Sequence, residues 1–560
     1  MLERKSSIHQ ISSEFCWDIP DHYNIGFDIC DKWVQIDPDR VAIIDVSESG
    51  ESKEFDFSTL RCLSNQLANA LNGLGVANRE SGFGDRIGVL LPQCVETAVT
   101  HIASCKMGCI SIPLFTLFGE DALFHRLKDS SAKVVITNKE GASKLSKIMD
   151  RLPDLNAVLS IDGPDEFATC FHTVCAAQSD KFQIVQTRAD APALLIYTSG
   201  TTGNPKGALH AHRVLLGHIP GVEVSHNFLP EKDDCFWTPA DWAWIGGLLD
   251  VLMPALHHGI PVVACRFSKF DAKAAFELIN QYAIRNVFLP PTALKIMKLL
   301  PDAEQYNVSL RSVASGGETL GTELIEWGEK ILGTTINEFY GQTECNMVVS
   351  SCSALEPPTP ESMGRPVPGH TVEILDATTG EIQPDGAEGS IAVLSNDPVM
   401  FLGYWNDAEA TREKFVESSE GTWLLTGDRG NRDHTGRLHF LGRDDDVISS
   451  AGYRIGPGEV EDCLIRHEAV LLAGVVGKPD KVRGAVVAAY VMLREGYCPS
   501  DELAAQIANY VKSRLAAHEY PRVVRFIETM PMTTTGKIIR AQLRDAAETE
   551  AAEDELAADA

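Results

Sequence analysis

The chain has 560 residues, of which 44% are hydrophobic and 23% are charged. This composition supports a sizeable core and excludes a mainly disordered chain, and the length predicts several domains or one large domain with a smaller partner. The 49 basic and 78 acidic residues give a formal net charge of −29, which argues against non-specific binding to nucleic acid or to an anionic membrane. An anionic small molecule held in a locally positive cleft is still compatible with this charge.

The N-terminal sequence and the cysteines bear on the cellular compartment. MLERKSSIHQISSEFCWDIPDHYN lacks the apolar run of a secretory signal, and no stretch of about 20 apolar residues occurs in the chain. Residues 245–265 come closest, but Asp250, two prolines and two histidines interrupt them, which predicts a buried helix and strand. The 14 cysteines contain no CxxC pair. We therefore expect a cytoplasmic protein with reduced thiols, no integral membrane segment and no zinc site.

Strand-like and helix-like patterns alternate between Asp85 and Thr137. The short apolar runs DRIGVLLP and ISIPLF flank VETAVTHIASCKMGC, in which apolar residues recur at helical spacing, and AKVVITN and NAVLSI repeat the strand pattern further on. This alternation predicts an α/β fold with βαβ units around a largely parallel sheet. Such sheets bind ligands outside the carboxyl ends of their strands.

A change in composition near Arg443 predicts a domain boundary. Before it the sequence is dense in glycine and turn residues, and after it short helical and strand patterns alternate over about 100 residues, the size of a small α+β domain. We place the boundary at the turn GRDDD, residues 442–446, between a domain of residues 1–441 and one of residues 447–545. Residues 546–560 form an acidic tail, for which the sequence leaves a frayed end and an extended helix both open.

A glycine-rich segment, LLIYTSGTTGNPKGAL at 194–209, predicts a phosphate-binding loop. An apolar strand leads into Thr, Ser and Gly residues and then Lys206; the glycines can turn backbone N–H groups toward phosphate oxygens, and the hydroxyls and the ammonium add donors. The P-loop pattern GxxxxGK[ST] is absent, because Lys206 is preceded by Pro205 and followed by Gly207. A P-loop NTPase is therefore disfavoured, and a plain surface turn is the alternative.

TSGTTGNPKG resembles the phosphate-binding loop of the adenylate-forming superfamily, which includes acyl-CoA synthetases, luciferases and adenylation domains. Further motifs follow in that family's order: YGQTE at 340–344, TGD at 426–428, GRDDD at 442–446, SAGYRIGPGEVE at 450–461 and TTTGK at 533–537. The resemblance covers the chain from about residue 30 to residue 545. Over AGYRIGPGEVE, PDKVRG and EYPRVVRF the sequence is most similar to the medium-chain acyl-CoA synthetase branch.

The resemblance implies a fold and a reaction. The implied fold has a large N-terminal domain of parallel-rich sheets with flanking helices and a small barrel-like subdomain, plus a small mobile α+β C-terminal domain. The implied enzyme is an ATP-dependent acid–thiol ligase: a carboxylate attacks the α-phosphate of ATP to give acyl-AMP and pyrophosphate, and the thiol of coenzyme A then displaces AMP. ATP, Mg²⁺ and coenzyme A are the expected cofactors and a small carboxylic acid the expected partner, with monomer and homodimer both open.

The family's adenylation residues carry over onto matching motifs. Lys537 is the expected cation of this step, because two anions meet there and the site must supply positive charge. Glu344 resembles the Mg²⁺ ligand, a role that suits a carboxylate, and Thr343 resembles the residue that hydrogen-bonds the α-phosphate. The expected nucleotide-binding residues are Thr198, Ser199, Gly200, Thr201, Thr202, Gly203, Lys206, Gly317, Glu318, Thr319, Tyr340, Gly341, Gln342 and the ribose-binding pair Asp428 and Arg443.

By the same resemblance, the second half-reaction uses a hinge between the domains and a basic dock, the surface that binds coenzyme A. Asp445 corresponds to the hinge residue at which the small domain rotates after adenylation, so that one cleft serves two reactions. Gly452 would line the pantetheine passage, where a side chain would block entry. The residues that match coenzyme A contacts of the medium-chain branch are Arg454, Arg483, Lys512 and Tyr520, and Gly452 and Tyr453 are expected among the cofactor-binding residues.

The sequence predicts the acyl pocket less specifically than the nucleotide-binding site. Acetyl-CoA synthetases carry a tryptophan just before QTE, where this chain has Gly341, which favours an acid larger than acetate. The residues expected near the pocket are Trp242, Trp244, Gly247, Gly341 and Cys345. Aromatic residues at this spacing also suit a core. A medium-chain fatty acid is our first expectation, with short branched or aryl carboxylates as alternatives.

Other functions in the same superfamily would require different sequence features. An adenylation enzyme that passes its acyl group to a carrier protein would not need the basic dock for coenzyme A. A luciferase-type monooxygenase shares the adenylation motifs, but nothing in the sequence specifically supports oxygen chemistry. A non-catalytic binding protein of this fold would be expected to lose Lys537 or Glu344, and an acetate or propionate ligase is disfavoured by Gly341.

Overall fold

The structure is a computed structural model of the chain. It describes residues 2–47, 49–77, 83–198, 205–265, 267, 269–318, 320–359, 361–443, 446, 448–450, 453–480, 483–515, 519–533 and 536–558.

The strands of the described residues are, in chain order, β1 (Val41–Val46), β2 (Ser52–Asp56), β3 (Arg86–Leu90), β4 (Ile110–Pro113), β5 (Val134–Thr137), β6 (Ala157–Ser160), β7 (Thr169–Cys170), β8 (Pro192–Thr198), β9 (Lys206–Ala211), β10 (Phe236–Trp237), β11 (Val262–Cys265), β12 (Asn286–Phe288), β13 (Ser312–Gly316), β14 (Ile336–Gln342), β15 (Asn346–Ser350), β16 (Arg365–Pro366), β17 (Val372–Leu375), β18 (Glu388–Leu394), β19 (Gly403–Tyr404), β20 (Phe415–Ser418), β21 (Gly421–Arg432), β22 (Leu438–Arg443), β23 (Ile448–Ser450), β24 (Tyr453–Ile455), β25 (Val470–Asp480), β26 (Gly484–Leu493) and β27 (Val523–Phe526).

The α-helices of the same residues are α1 (Ile8–Glu14), α2 (Lys32–Ile36), α3 (Phe57–Gly73), α4 (Val95–Lys106), α5 (Glu120–Ser130), α6 (Lys139–Ser146), α7 (Phe171–Ala176), α8 (Val214–Ser225), α9 (Ile245–Gly247), α10 (Met253–His258), α11 (Ala272–Gln281), α12 (Pro291–Lys298), α13 (Thr322–Ile331), α14 (Ala408–Glu413), α15 (Pro457–Ile465), α16 (Asp501–Lys512) and α17 (Arg540–Ala558). Short π-helical segments precede α2 and α10, at Phe27–Asp31 and Leu248–Leu252.

The first sheet has the strand order β19-β9-β8-β4-β3-β5-β6-β7 among the described residues. Neighbouring strands from β8 to β7 in this order run parallel, whereas β9 and β19 are antiparallel additions at one edge. Along β3 the side chains alternate between two clusters: Ile87 and Val89 face α3 and α4, and Leu90 faces α5 and α6. Helices cover both faces of the sheet, which explains why these strands are almost continuously apolar. The parallel sheet predicted from this part of the sequence is confirmed.

The second sheet has the order β16-β15-β14-β13-β12-β10-β11-β1-β2 among the described residues. The strands from β14 to β1 run parallel, with antiparallel strands at both edges. One face, which includes Phe236 and Phe288, shares a buried cluster with Ile87 and Ile196 of the first sheet. The other face packs against α11, α12 and α13. The two sheets therefore enclose a common core.

Two smaller sheets follow. The third has the order β17-β18-β21-β20, with β22 paired to β21, and matches the barrel-like subdomain expected from the sequence. The fourth has the order β24-β23-β26-β25, with β27 paired in parallel to β26, and it packs with α15, α16 and α17 as an α+β unit. The α/β architecture with a separate C-terminal domain is thus as predicted.

The chain divides into two compact units. The first comprises Met1–Val372 and Val393–Leu424, and the second comprises Glu373–Ala392 and Leu425–Ala560. The division passes through β18 and β21 of the third sheet. The hinge at residues 442–446 stays a prediction.

The C-terminal tail is helical throughout its described length. Leu543 and Ala547 of α17 are buried against Val476 and Tyr490 of the fourth sheet. The helix continues to Ala558, so of the two possibilities left open by the sequence the structure has the extended helix.

No helix in the described part of the chain is long and apolar enough to cross a membrane. All 14 cysteines lie among the described residues, and each has a free thiol. The cytoplasmic location stays a prediction.

Gly217 in α8 provides a test of this packing. A Cβ added at Gly217 would lie 2.6 Å from the backbone nitrogen of Val399, so Gly217→Ala requires a backbone shift. We expect this variant to lose about 1–3 kcal/mol of unfolding free energy and to unfold at a lower temperature in calorimetry. The matched control is Gly73→Ala at the end of α3, where an added Cβ has nothing within 4 Å, and it should be neutral or slightly stabilising. Equal midpoints for the two variants would contradict the packing described.

Candidate active site

The described ends of the glycine-rich segment belong to a hairpin of the first sheet. β8 runs parallel to β4, and β9 returns antiparallel to β8 with Thr198 opposite Lys206. The loop between them therefore begins at the carboxyl end of a parallel strand, where ligands of α/β sheets bind. Nε2 of His125 in α5 donates to the Pro205 carbonyl oxygen at 3.0 Å, which anchors the chain just before Lys206.

The predicted nucleotide residues of the second sheet also lie at carboxyl ends of parallel strands. Gly316 pairs in register with Phe339, which aligns the ends of β13 and β14. Gly317 and Glu318 follow β13 directly, and residues 340–342 complete β14. Parallel pairing thus brings together two segments that the sequence analysis had found separately.

Glu344 lies in the turn between β14 and β15, directly after Thr343, and is 6% exposed. Its carboxylate accepts a hydrogen bond from the phenol of Tyr404, and its backbone carbonyl accepts one from the Phe401 N–H at 2.9 Å. The ring of Tyr404 also faces the phosphate-loop hairpin, since Nζ of Lys206 lies 5.4 Å from its centroid. One tyrosine therefore connects the YGQTE turn to Lys206.

Tyr404 is the functional candidate that the sequence analysis missed. It lies in β19, where it pairs with Ala208, and the next N–H, of Trp405, donates to the Gly207 carbonyl at 2.7 Å. The only signal in the sequence is an aromatic pair after a glycine, in FLGYWND, which is equally typical of packing. Its role depends on a strand pairing across almost 200 residues, which a local pattern does not reveal.

Asp428 and Arg443, predicted to bind ribose, are neighbours in the second unit. They lie opposite each other on β21 and β22, with Oδ1 of Asp428 3.5 Å from Nη1 of Arg443. Asp428 is buried, and its backbone N–H donates to the hydroxyl of Thr426 at 3.2 Å. Antiparallel register places the two residues opposite each other, which explains how residues 15 positions apart meet.

Lys537 lies in a short hairpin just before α17. Its backbone N–H donates to Oγ1 of Thr533 at 3.0 Å, and its carbonyl accepts from the Thr533 N–H at 2.7 Å. A bridge between Met532 and Ile538 closes the hairpin. Lys537 is exposed, and the helix starts three residues later, at Arg540. The lysine is thus held by backbone hydrogen bonds with Thr533 close to the start of α17.

Part of the predicted dock for coenzyme A is assembled in the second unit. Nζ of Lys512, at the end of α16, lies 5.0 Å from the ring centroid of Tyr520, and the guanidinium of Arg522 lies 5.1 Å from the same ring. Arg522 belongs to the EYPRVVRF stretch but was not singled out from the sequence. Arg483 is exposed, and its backbone N–H donates to the Asp480 carboxylate at 2.8 Å.

The predicted acyl-pocket residues have different environments within the first unit. Trp244 is half-buried, with its ring centroid 5.6 Å from that of Phe288, which lies 5.3 Å from Phe339. These three rings form an apolar row near the ends of β12 and β14. Trp242 is fully buried in the core, and Gly247 is buried at the end of α9.

Gly341 and Cys345 are both shaped by the β14–β15 hairpin. A Cβ at Gly341 would lie 1.6 Å from the carbonyl oxygen of Asn346, so any larger residue at this position of the hairpin requires a backbone shift. Cys345 is fully buried, and burial raises the pKa of its thiol well above the usual value. The thiol is therefore protonated at neutral pH and unsuited to be a nucleophile.

Several predicted site residues lie outside the described residues: Ser199, Gly200, Thr201, Thr202, Gly203, Thr319, Asp445 and Gly452. Tyr453 and Arg454 form the start of β24.

Comparison with known proteins identifies the family. The AMP-binding enzyme family matches residues 30–405, and the AMP-binding enzyme C-terminal domain matches residues 459–537. The chain belongs to the AMP-binding enzyme family. It is an acyl-CoA synthetase of the adenylate-forming superfamily, whose members are ATP-dependent and AMP-forming, as the motifs predicted.

Individual relatives cover nearly the whole synthetase. It is 32% identical to an acetyl-coenzyme A synthetase of Bacillus subtilis, over 93% of this chain and 90% of that protein. It is 33% identical to the human mitochondrial acyl-coenzyme A synthetase ACSM4, over 94% and 91%. Its fold is similar to that of the anthranilate CoA ligase AuaEII in complex with anthranoyl-AMP, with a TM-score of 0.86, 28% identity, and 96% and 99% of the two chains covered.

Gly341→Ala separates the two explanations of this glycine. Because the added Cβ would collide with the Asn346 carbonyl, we expect the hairpin to distort, with a loss of about 1–3 kcal/mol in unfolding free energy and a fall in activity toward all acids together. Thermal unfolding and a comparison of rates with short and long acids would measure this. Normal stability together with a selective gain for short acids would show instead that Gly341 acts through pocket size.

Proposed function

We propose that this synthetase joins a medium-chain fatty acid to coenzyme A through an acyl-AMP intermediate, releasing pyrophosphate and then AMP. The observation that carries the proposal is the contact of Tyr404 with both Glu344 and Lys206. It connects the YGQTE turn to the phosphate-loop hairpin, and adenylation requires both motifs at one nucleotide.

Glu344 fits the role of Mg²⁺ ligand. Mg²⁺ prefers oxygen ligands and usually takes one or two carboxylates together with substrate phosphates. No group of three or more His, Cys, Asp or Glu side chains among the described residues could hold a metal by itself, so phosphate oxygens of ATP would complete the shell. When bound, the ion would neutralise charge on the phosphates. The Tyr404 phenol would keep the Glu344 carboxylate oriented toward it.

The remaining adenylation roles follow the chemistry of each side chain. Lys206 would hold a phosphate oxygen, and the Thr343 hydroxyl would donate to the α-phosphate. Asp428 would accept hydrogen bonds from the ribose hydroxyls, with Arg443 beside its carboxylate. Lys537 would supply positive charge as the acid attacks the α-phosphate.

Thioester formation would use other parts of the second unit. Rotation at Asp445 would exchange Lys537 for the segment containing Gly452, beside which pantetheine would enter. The phosphates of coenzyme A would meet the basic residues Arg454, Arg483 and Lys512. The cluster of Lys512, Tyr520 and Arg522 supports free coenzyme A as acceptor over a carrier protein, because it offers two cations around one aromatic ring.

Trp244, the partly exposed member of the row with the buried Phe288 and Phe339, supports an acid with an extended apolar part. A hydrocarbon chain gains free energy by leaving water against such rings. Aryl and short branched acids are the second candidate class, favoured by the fold similarity to a ligase that binds anthranoyl-AMP. The preference against acetate rests on Gly341, where acetyl-CoA synthetases carry a tryptophan, and on Trp244.

A panel of acids tests the proposal directly. Acetate, butyrate, hexanoate, octanoate, decanoate, isobutyrate, benzoate and anthranilate would each be supplied with ATP, Mg²⁺ and coenzyme A, and AMP and acyl-CoA would be quantified. We expect the highest kcat/KM between hexanoate and decanoate, with one AMP formed per acyl-CoA. A maximum at benzoate or anthranilate would establish the aryl alternative, and acyl-AMP without acyl-CoA would point to a carrier protein.

Tyr404→Phe tests the proposed support of Glu344. Removing the phenol deletes the hydrogen bond to the carboxylate, and loss of such a partner typically costs about 10–100-fold in metal affinity or activity. We expect the half-saturating Mg²⁺ concentration for ATP–pyrophosphate exchange to rise at least tenfold by this estimate. The matched control is Tyr490→Phe, which removes a phenol–carboxylate contact to Glu550 in the second unit and should leave the Mg²⁺ dependence unchanged. An unaltered Mg²⁺ requirement in Tyr404→Phe would remove Tyr404 from the site.

A further inference from the structure

Two arginine side chains of α17 meet two buried carboxylates of the second unit. Asp446 and Glu461 have side chains 7% and 9% exposed. Arg540 lies between them: its Nη2 donates to Oε2 of Glu461 at 2.6 Å, and its Nη1 is 3.5 Å from Oδ2 of Asp446. Arg544, one turn further along α17, donates to Oδ1 of Asp446. We call these four residues the carboxylate–arginine network.

The network ties together segments that are far apart in sequence. Asp446 is the residue after the predicted hinge Asp445, and its N–H donates to the Arg443 carbonyl at 3.1 Å. Glu461 is the last residue of the SAGYRIGPGEVE motif, and its Oε1 also accepts from the Val475 N–H at 2.8 Å. The two arginines lie in the first two turns of α17.

The Lys537 hairpin is joined rigidly to the same helix. Only two residues separate Lys537 from Arg540, and the hairpin is closed on both sides by backbone hydrogen bonds, including Ile539 N–H to the Pro531 carbonyl at 2.9 Å. Ile538 packs against the cluster that contains Leu543. Any displacement of the start of α17 would therefore move the ammonium of Lys537.

The far end of α17 is held by separate contacts. Glu550 accepts hydrogen bonds from the Tyr490 phenol and from Nε of Arg525, both at 3.1 Å, and its carboxylate is 3.5 Å from Nζ of Lys478. These contacts secure the helix on the fourth sheet, but none of them involves the segment after the hinge. The network is thus distinct from the contacts that dock the body of the helix.

We propose that Asp446, Arg540 and Arg544 are positioning residues that connect the segment after the hinge rigidly to α17, the helix that follows the Lys537 hairpin. Rotation at the hinge would then move Lys537 together with that segment to a defined position. The inference rests on the proposed function, in which Lys537 serves adenylation and Asp445 is the hinge. Charged hydrogen bonds with this geometry are strong and directional, which suits a rigid connection. The buried carboxylates would be unpaired without their arginines, so the connection is specific as well as strong.

The test compares two half-reactions in Arg544→Gln and Asp446→Asn. We expect ATP–pyrophosphate exchange to fall at least tenfold, by the loss of a charged hydrogen bond, with a change of less than twofold in thioester formation from supplied acyl-adenylate. Arg544→Lys keeps the charge and should restore exchange to within about threefold of wild type, again by the strength of such a contact. Equal losses in both half-reactions, or no rescue by lysine, would show a merely structural role.

Arg525→Gln is the matched control, because it removes a guanidinium–carboxylate contact from the other end of the same helix. It should leave both half-reactions unchanged, and a tenfold fall in exchange there would overturn the assignment to the network. Hydrogen exchange read by mass spectrometry gives a measurement that does not depend on activity. We expect the peptide covering 531–539 to exchange faster in Arg544→Gln and Asp446→Asn, with the peptides of β25 and β26 unchanged; unchanged exchange in 531–539 would also overturn the proposal.

Lys537→Ala distinguishes failure of the inference from failure of the proposed function. If Lys537→Ala keeps full exchange activity, the role of Lys537 is wrong, and the hydrogen-exchange result alone decides whether the network positions the hairpin. If Lys537→Ala abolishes exchange while Arg544→Gln and Asp446→Asn do not lower it, the proposed function stands and the network proposal is overturned.

Discussion

The contact of one tyrosine with an anion on one side and a cation on the other organises the first unit of this synthetase. Tyr404 donates its phenolic proton to Glu344 and presents its ring to Lys206. These two residues come from different sheets, and each follows the carboxyl end of a strand. The sheets share one core, so the packing that stabilises the fold also determines where the two motif segments meet. A single side chain then holds the carboxylate and the ammonium in a fixed relation.

The large-scale fold was accessible from the sequence because its signals are local. Apolar runs such as IGVLL and VVIT, separated by helical spacing, fix the type of each element, and parallel pairing follows from their alternation. Asp428 and Arg443 were also found as a pair, since both lie in motifs with known partners. Such signals can be recognised from the sequence because each depends on a few consecutive residues.

The missed features depend on pairings between distant segments. Tyr404 acquires its role through a two-residue strand that joins β9, and GYW alone does not specify this. Gly341 was interpreted by pocket size, and the structure adds that the backbone of Asn346 crowds it from across the hairpin. The carboxylate–arginine network likewise joins residues almost 100 positions apart. In each case the contact that determines the residue's role is made by a segment distant in sequence. The chemistry of one side chain is compatible with several such partners, so the sequence alone does not identify the right one.

The crowding at Gly341 limits how this catalyst can be remodelled. Protein engineers often exchange a glycine beside a substrate for larger residues to shorten the space available to the ligand. Here the neighbouring carbonyl occupies the volume that any β-carbon would need, so a combinatorial library should keep this position constant. Diversity is better introduced at Trp244, which is half-buried and packs on the ring of Phe288. The route to new acids then runs through an aromatic side chain that can be exchanged, while the turn that carries Glu344 keeps its shape.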